Sequence, residues 1–295
     1  MNKATIFVIL ALFASDGIAE KSDIFMTRQF SFPNGLSKAL VLAYDDGPVQ
    51  DRRFVKLLNG CGLKGTFYIN SGRLGLEAEW MTEAIGNPGW YVDAAELATL
   101  YEGHEIASHT VNHAHLYQLD SHDIRNEVSR DIEMLESLTH GDVESFAYPF
   151  GEVDDRIVAA LAGTGITNAR SVDATSSFAL PDNLLRWNPT AHHTKAIGLV
   201  EDFLATSSDE PALFMIWGHS WEFDGDAPDN NWNTAAALCE RLSGRPDVWY
   251  VGAGEFARYL TAVMNLQKKG RGWTNPASFP VWIRDHGRVR RLPPQ

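Results

Sequence analysis

Two adjacent carboxylates, Asp45 and Asp46, end an apolar run of the sequence, and Gly47-Pro48 turns the chain directly after them. Neighbouring side chains of an extended strand point to opposite sides, so the two carboxylates are not equivalent. A tight turn can still direct both of them into one cavity. Such a pair suits a division of labour in which one carboxylate binds a metal ion while the other moves protons. On its own, Asp-Asp-Gly-Pro is more typical of a solvated turn, and the other motifs of the chain favour the catalytic interpretation.

Two histidines, His109 and His113, lie four residues apart. In a helical turn this spacing places both imidazoles on one face, close enough to hold one cation. Together with Asp46 they would form a site of two histidines and one carboxylate, which leaves positions open for water and substrate. Alternatively, one histidine is buried and neutral while the other is solvated. We expect His115 on the other side of the same turn, and ordinary surface positions for His104, His122 and His140.

The chain alternates segments of strand character with segments of helical spacing. This alternation is typical of an α/β fold in which parallel strands are joined by helical crossovers. The predicted strands cover residues 39–44, 66–70, 105–108, 145–148, 166–170, 213–217 and 248–251. The helical patterns begin near Phe54, Asp93 and Ser121 and also cover 154–161, 196–205, 235–242 and 255–266.

The reactive residues follow the predicted strands. The carboxylate pair follows the first strand, the histidine pair follows the third, and Tyr148-Pro149-Phe150-Gly151 follows the fourth. Arg170 ends the fifth strand and His219 follows the sixth. In parallel α/β architectures the carboxyl ends of the strands form one face, and active sites lie there. The sequence therefore predicts that five separate stretches converge on one rim.

Length and charge narrow the class of protein. The chain has 295 residues, 44% of them hydrophobic, which is enough for one large α/β core. Its net charge of −13 makes nucleic acid an unexpected partner. We expect residues 20–266 to form a single domain and 267–295 to form a C-terminal extension, packed on it as a strand or hairpin. The sequence leaves open whether Cys61 and Cys239 pair.

The first residues have the pattern of a signal peptide. Lys3 precedes an apolar run over 4–14, and small residues at 17–19 precede Glu20. This pattern predicts a signal peptide over residues 1–19 and export to the periplasm or the medium. The apolar run is shorter than the roughly 20 residues of a membrane-spanning helix, so no membrane span is expected.

Four stretches resemble the motifs of a known family. Residues 44–48, 109–113 and 148–151 resemble the first three motifs of the polysaccharide deacetylase family (the NodB-homology domain, carbohydrate esterase family 4), and residues 217–219 resemble its last motif. The resemblance covers roughly residues 38–260. It implies a distorted seven-stranded (β/α) barrel and one divalent metal ion, zinc in the first place, with cobalt, nickel or manganese as alternatives. It also implies the removal of acetyl groups, mostly N-linked, from an acetylated glycan.

The resemblance assigns roles to individual residues. It implies that Asp45 is the general base, that Asp46, His109 and His113 bind the metal, that the backbone N–H of Phe150 faces the oxyanion, and that His219 is the general acid. The chemistry agrees, because a metal-bound water with a pKa near 7 can attack an amide once a carboxylate takes its proton. An amine is a poor leaving group until it is protonated, so the reaction needs a general acid.

The sequence departs from the family pattern in two places. The third motif commonly carries an arginine that pairs with the catalytic aspartate, and Ala147 occupies that position. Arg170 is our first candidate for its replacement and Arg186 the second, although Arg170 could instead pair with Asp173 or Asp154. The fourth motif of the family has no clean match.

Aromatic residues near the predicted rim suggest sugar binding. Tyr148, Trp217, Trp221 and Glu222 are the expected substrate contacts, because indole rings stack on sugars while carboxylates bind hydroxyls. Alternatively, one or two of the tryptophans fill the barrel. His192-His193 also lies near the rim, with no assigned role.

The leading function is therefore an exported, metal-dependent glycan deacetylase. One alternative is an amide or imide hydrolase that acts on a small non-glycan substrate with the same fold. The other is a catalytically silent glycan-binding protein, which the missing arginine makes plausible. Binding alone would not require both Asp45 and His219.

The predicted ligand set separates the two neighbouring carboxylates in an experiment. His113→Ala should lose the metal because one of three ligands is gone, whereas Asp45→Asn should retain it. Elemental analysis of the purified proteins measures this directly. Unchanged metal content in His113→Ala, or loss of the metal from Asp45→Asn, would contradict the assignment.

Overall fold

A parallel sheet forms the centre of the computed structural model, which describes residues 21–225, 227–270 and 272–295. The predicted signal peptide lies outside these residues. The described strands are β1 (Phe30–Ser31), β2 (Lys38–Asp46), β3 (Gly65–Ile69), β4 (Glu105–Ser108), β5 (Ser145–Ala147), β6 (Asn168–Arg170), β7 (Ala191–His192), β8 (Ala212–Gly218), β9 (Val248–Tyr250), β10 (Gln267–Lys269), β11 (Gly272–Thr274), β12 (Val281–Asp285) and β13 (Arg288–Leu292).

The α-helices alternate with these strands. They are α1 (Asp23–Met26), α2 (Asp51–Cys61), α3 (Glu79–Ile85), α4 (Leu97–Leu100), α5 (Ser121–Thr139), α6 (Asp155–Ala160), α7 (His193–Ala196), α8 (Val200–Leu204), α9 (Trp232–Leu242) and α10 (Ala253–Met264). Among the helices that the structure describes, none has the length and apolar character of a membrane-spanning segment.

The strand order in the described sheet is β6-β5-β4-β3-β2-β8-β7, with β9 beside the first part of β2. All of these pairs are parallel, and together they form an α/β half-barrel. The seven predicted strands are present, which confirms the α/β barrel-type fold. The sequence missed β7, because a strand of two residues has no periodicity to detect.

Strand β2 lies in the middle of the sheet, and all nine of its residues are buried. Its alternating side chains enter two different cores. Leu40, Leu42 and Tyr44 belong to the core on the side of α2 and α5. Val41 and Ala43 belong to the second core, which contains α10 and residues of the C-terminal strands. Burial on both faces explains why β2 reads as a continuous apolar run.

The C-terminal residues add a small antiparallel sheet to the second core. Strands β12 and β13 pair with each other, and β12 also pairs with β1 near the start of the described chain. Val281, Ile283 and Leu292 are buried in that core. The strand expected in this tail is thus present as one arm of a hairpin. Cys61 and Cys239 are free thiols, so the structure contains no disulfide between them.

His104 has a structural role that the sequence did not predict. The sequence indicates an ordinary surface residue, but Nδ1 accepts a hydrogen bond of 3.0 Å from the N–H of Gly65, at the start of β3. Burial and the nearby charge of Lys64 lower the pKa of His104 from 6.5 to about 4. Neutral His104 therefore helps to hold the beginning of a core strand.

This bond predicts a pH-dependent contribution to stability. Because the pKa is depressed in the folded state, the stabilisation is complete above pH 6.5 and is lost as the pH falls towards 4. His104→Ala should lower the free energy of unfolding by about 1 kcal/mol at pH 7.5 and by much less at pH 4.5. Urea unfolding at both values measures the difference. His122→Ala, at an exposed histidine of α5, is the control, and equal losses in His104→Ala at the two pH values would contradict the prediction.

Candidate active site

The two carboxylates lie at the carboxyl end of β2, as predicted, and both are 3% exposed. Asp45 continues the alternation of Val41 and Ala43, so its side chain enters the side of the sheet that holds the second core. Asp46 has a φ of +77°, a left-handed conformation that turns the chain at this point. Gly47 follows with a φ of +68°, and a side chain there would collide with Ile69. This strained turn brings both carboxylates close to Nε2 of His109.

Asp45 pairs with a buried arginine from another strand. Nη2 of Arg170 lies 2.5 Å from both carboxylate oxygens of Asp45, and Arg170 is fully buried. Burial alone would raise the pKa of Asp45, but the charges of Arg170, His109 and His219 outweigh it and lower that pKa below 3.8. The carboxylate is therefore held ionised and in one orientation.

The register of the sheet explains why Arg170 reaches Asp45. Ala147, where the family pattern has an arginine, is the direct neighbour of Arg170 in the parallel pair of β5 and β6. Arg170 therefore extends its guanidinium group from β6, the strand next to β5, at the level of Ala147 in the sheet. Arg186, the other candidate, pairs instead with Asp155 at 2.5 Å.

Asp46, His109 and His113 form a candidate metal centre. Their possible ligand atoms lie within 4.8 Å of one another. Oδ1 of Asp46 is 3.8 Å from Nε2 of His109 and 3.6 Å from Nε2 of His113. Ligands of a tetrahedral zinc ion, each about 2.0–2.2 Å from the metal, are separated by roughly 3.5 Å. The three side chains therefore fit a divalent cation.

The hydrogen bonds around these ligands support the same assignment. Nδ1 of His109 lies 2.8 Å from the carbonyl oxygen of Ala147, which leaves Nε2 without its proton and free to bind a cation. The indole N–H of Trp221 donates to Oδ2 of Asp46 at 3.0 Å, so Oδ1 is the oxygen that faces the histidines. Burial lowers the pKa of His113 to about 4, which keeps this imidazole neutral.

The two histidines do not share a helical turn, and this part of the prediction is wrong. Residues 109–115 form a loop, in which Thr110 and His113 have φ angles of +66° and +56°. The side chain of Asn70 donates to the carbonyl oxygens of His109 and Thr110, and Oγ1 of Thr110 accepts from the N–H of Ala114. Side-chain contacts, rather than helical periodicity, bring the two imidazoles together.

Asp131 supports the site through hydrogen bonds, and the sequence did not indicate this role. It is fully buried on α5, where Oδ2 accepts hydrogen bonds from Ser108 and from the N–H of His109, and Oδ1 accepts from the N–H of Ser71. Burial raises its pKa to about 6. A charged residue within the amphipathic pattern of a helix was the signal that could have found it.

His219 lies beside the candidate metal centre, with Nε2 at 3.9 Å from Oδ2 of Asp46. Its other nitrogen, Nδ1, lies 2.6 Å from Oε1 of Glu222. Burial alone would lower the pKa of His219, but the hydrogen bond to Glu222 and the charges of Asp46 and Asp45 raise it to about 9. In the protein as described, His219 is therefore a cation at neutral pH.

Glu222 does not have the position predicted for a substrate contact. Besides His219, its carboxylate lies 3.3 Å from Nε2 of His192 and 3.3 Å from Nε2 of His193, and it accepts a hydrogen bond of 2.6 Å from Asn230. Burial alone would raise the pKa of Glu222, but these hydrogen bonds hold it well below its usual range. Both carboxylate oxygens are occupied, so we assign Glu222 to the orientation of His219.

Tyr148 is also placed differently from the prediction. It is 1% exposed, and its hydroxyl group donates to the carbonyl oxygen of Leu185. A side chain buried in this way cannot contact a substrate at the rim. Phe150, in contrast, is 51% exposed, and its ring packs edge-on against His113.

The two predicted tryptophans both pack against His219 but differ in their other partners. Trp217 lies between the guanidinium group of Arg170, 5.0 Å from its ring, and the ring of His219. Trp221 packs against His219 and holds Asp46. Their contact with a substrate stays a prediction.

A parallel half-barrel with a carboxylate and two imidazoles at the carboxyl ends of its strands is an α/β protein of the NodB type. Residues 33–169 match the family model described as polysaccharide deacetylase. This match confirms the resemblance for that part of the chain. No curated protein shows a significant sequence match to the chain.

The chain is similar to several solved structures. A protein of Mycobacterium smegmatis assigned as a polysaccharide deacetylase matches with a TM-score of 0.56 and 18% identity, over 81% of this chain and 96% of its own. At this identity the likeness shows a shared fold. A family 4 carbohydrate esterase from Streptomyces lividans, in complex with acetate, has a TM-score of 0.47 and 16% identity, over 72% of this chain and 92% of its own. The peptidoglycan deacetylase PdaC from Bacillus subtilis has a TM-score of 0.48 and 14% identity, over 78% and 94%.

The bond from Trp221 to Asp46 predicts an effect on metal affinity. Trp221→Phe keeps an aromatic ring but removes the N–H that fixes Oδ2 of Asp46, so the dissociation constant for zinc should rise about tenfold. Competition with a chromophoric chelator measures this constant. Trp232→Phe is a matched control, because that indole donates to Asp224 instead. Equal affinities in the two variants would contradict the role of Trp221.

Proposed function

We propose that the protein is a metal-dependent hydrolase that removes acetyl groups, in the first place N-acetyl groups, from a glycan. The observation that carries this proposal is the close approach of four groups, Asp45, Asp46, His109 and His219. Nε2 of His109 lies 3.9 Å from Asp45 and 3.8 Å from Asp46, while His219 approaches Asp46 from another side at 3.9 Å. A base, a ligand set and an acid are thus within reach of one small substrate group.

Asp46, His109 and His113 would hold the metal, for which zinc fits best because two imidazoles and one carboxylate are typical zinc ligands. When bound, a divalent cation polarises a carbonyl group and makes water more acidic.

Asp45 is the proposed general base. Its partner Arg170 keeps it ionised and fixes its orientation, so that the carboxylate can accept a proton from the attacking water. The backbone N–H of Phe150, in the turn Pro149–Gly151, is the proposed donor to the oxyanion.

His219 is the proposed general acid. Its cationic form carries a proton on Nε2, on the side of Asp46, and Glu222 holds the ring through Nδ1. Transfer of the Nε2 proton to the departing nitrogen turns an amide anion, which leaves poorly, into a neutral amine. Glu222 therefore acts on the reaction by positioning His219.

The pairing of Arg170 with Asp45 bears on the alternative of a catalytically silent binding protein. That alternative depended on the missing arginine at Ala147, and Arg170 supplies a cation at the same height of the rim. We also propose that the substrate is met outside the cytoplasm, on the pattern of residues 1–19.

Acetate release tests the proposed function. The purified protein should release acetate from at least one member of a panel that includes N-acetylglucosamine oligomers, peptidoglycan fragments and acetylated xylan. A chelator should abolish release, and added zinc should restore it. Asp45→Asn should keep the metal and lose about 100-fold or more in kcat. Release that is unaffected by metal removal, or no release from any member, would contradict the proposal.

Replacing Arg170 should shift the pH dependence. Arg170 lowers the pKa of Asp45, so Arg170→Met should raise it, and protonation would then inactivate the base at a higher pH. The acidic limb of the kcat/KM profile should move to higher pH while the metal content is unchanged. Arg186→Met, at an arginine paired outside the site, is the control. If kcat/KM decreases at every pH and the acidic limb keeps its position, Arg170 does not set the pKa of Asp45.

A further inference from the structure

Glu222 lies in a second cluster of possible metal ligands, which shares no residue with the candidate metal centre. One atom each of His192, His219 and Glu222 lies within 4.8 Å of the other two. Oε1 of Glu222 is 2.6 Å from Nδ1 of His219 and 3.3 Å from Nε2 of His192. Orienting His219 requires only one of these contacts, so the position of His192 at the same oxygen calls for another explanation.

The two oxygens of Glu222 have different surroundings. Oε2 accepts a hydrogen bond of 2.6 Å from the side-chain amide of Asn230 and lies 3.3 Å from Nε2 of His193. Oε1 faces the nitrogens of His192 and His219 instead. Hydrogen bonds to one oxygen of a carboxylate orient the other oxygen towards a metal ion.

The surroundings of Glu222 resemble those of Asp46 in the candidate metal centre. The indole N–H of Trp221 donates to Oδ2 of Asp46, while Oδ1 faces the nitrogens of His109 and His113. In both places a donor holds one carboxylate oxygen and two imidazoles face the other. A set of two histidines and one carboxylate is typical of zinc sites.

The histidines of this cluster can place their remaining protons away from a cation. Nδ1 of His192 lies 3.0 Å from Oγ1 of Thr194, to which it can donate, and its contact with the N–H of Thr194 is longer, at 3.4 Å. Nε2 of His192 is then free to bind a cation. For His219, a cation on Nδ1 leaves the proton on Nε2, which faces Oδ2 of Asp46 at 3.9 Å.

A zinc ion can reach this cluster, but it must displace a proton. The side chains of His192, His219 and Glu222 are 23%, 20% and 15% exposed, so solvent has access to them. Zinc ligands are separated by roughly 3.5 Å, so the contact between Glu222 and His192 fits and the one to His219 must lengthen by about 1 Å. The proton between Nδ1 of His219 and Glu222 leaves to solvent as the ion binds. The cluster should therefore fill only after the candidate metal centre.

We propose that His192, His219 and Glu222 form a second, weaker zinc site, which inhibits the protein when zinc is in excess. The site itself does not depend on the proposed function, but its inhibitory effect does, because it assumes that His219 is the general acid. Zinc on Nδ1 replaces the proton that makes the imidazole cationic, so Nε2 becomes a weaker donor to a departing nitrogen. An activated ester, whose leaving group needs no proton, should not be affected.

Calorimetric titration with zinc tests the site. The wild-type protein should bind two ions per chain, the second about tenfold or more weakly, and His192→Ala should bind one ion fewer. His113→Ala should still bind one ion, at the second site. His122→Ala is the control and should keep both ions, because His122 belongs to a separate exposed cluster with Asp120 and Asp123.

Two outcomes of the titration would overturn the second site. One is an equal number of bound ions in the wild-type protein and in His192→Ala. The other is loss of the weaker ion from His122→Ala, which would assign that ion to the exposed cluster. If His192→Ala does not fold, His192→Gln should also lose the weaker ion, because an amide can still donate to Glu222 but is a poor zinc ligand.

Kinetics on two substrates test the inhibition. Excess zinc should slow acetate release from a β-1,4-linked pentamer of N-acetylglucosamine about tenfold or more and leave hydrolysis of 4-nitrophenyl acetate within about twofold. Each variant is compared with its own rate at a zinc concentration that fills only the first site, and in His192→Ala the inhibition should be absent. Equal slowing of both substrates would overturn the effect on His219. A second ion that depends on His192, in a protein that never releases acetate, would support the site and reject the proposed function.

Discussion

The buried ion pair between Asp45 and Arg170 is the interaction on which the candidate site depends. Two charges removed from water are tolerated only when each has a well-placed partner, and leaving one of them unpaired costs several kcal/mol. The carboxylate is the last but one residue of the central strand, and the arginine ends a strand near the edge of the sheet. The pair therefore requires the whole intervening sheet to be in register, which links the chemistry of the site to the fold.

The other groups of the site are held by the same kind of indirect support. Asn70 and Asp131 fix the backbone of His109, and Glu222 fixes His219 through Nδ1. Left-handed conformations at Asp46 and at His113 are costly by themselves and persist because the surrounding structure determines them. The side chains of the candidate site are thus held in place without a substrate. Catalysis by preorganised groups requires this, because such groups need not move as charge develops.

The region around the site has two parts, which come from different segments of the chain. The carboxyl ends of the strands carry the groups for proton transfer and metal binding, and the connection between β3 and β4 carries an exposed indole beside them. Trp221 contacts both parts, because it holds Asp46 with its N–H and packs against Trp80 with its ring.

The sequence by itself determined the α/β class, seven of the eight described strands of the parallel sheet and the convergence of the motifs on one rim. Apolar periodicity and the order of motifs are local properties, so they can be recognised without knowing which distant residues are in contact. Only the tertiary structure showed that Arg170 pairs with Asp45 and that Glu222 forms a hydrogen bond with His219. It also showed that Tyr148 is buried. Each of these depends on strand register, on the course of a loop or on packing between distant segments, none of which a local pattern encodes. For the same reason the histidines meet through a loop with positive φ angles, where their spacing had suggested a helix.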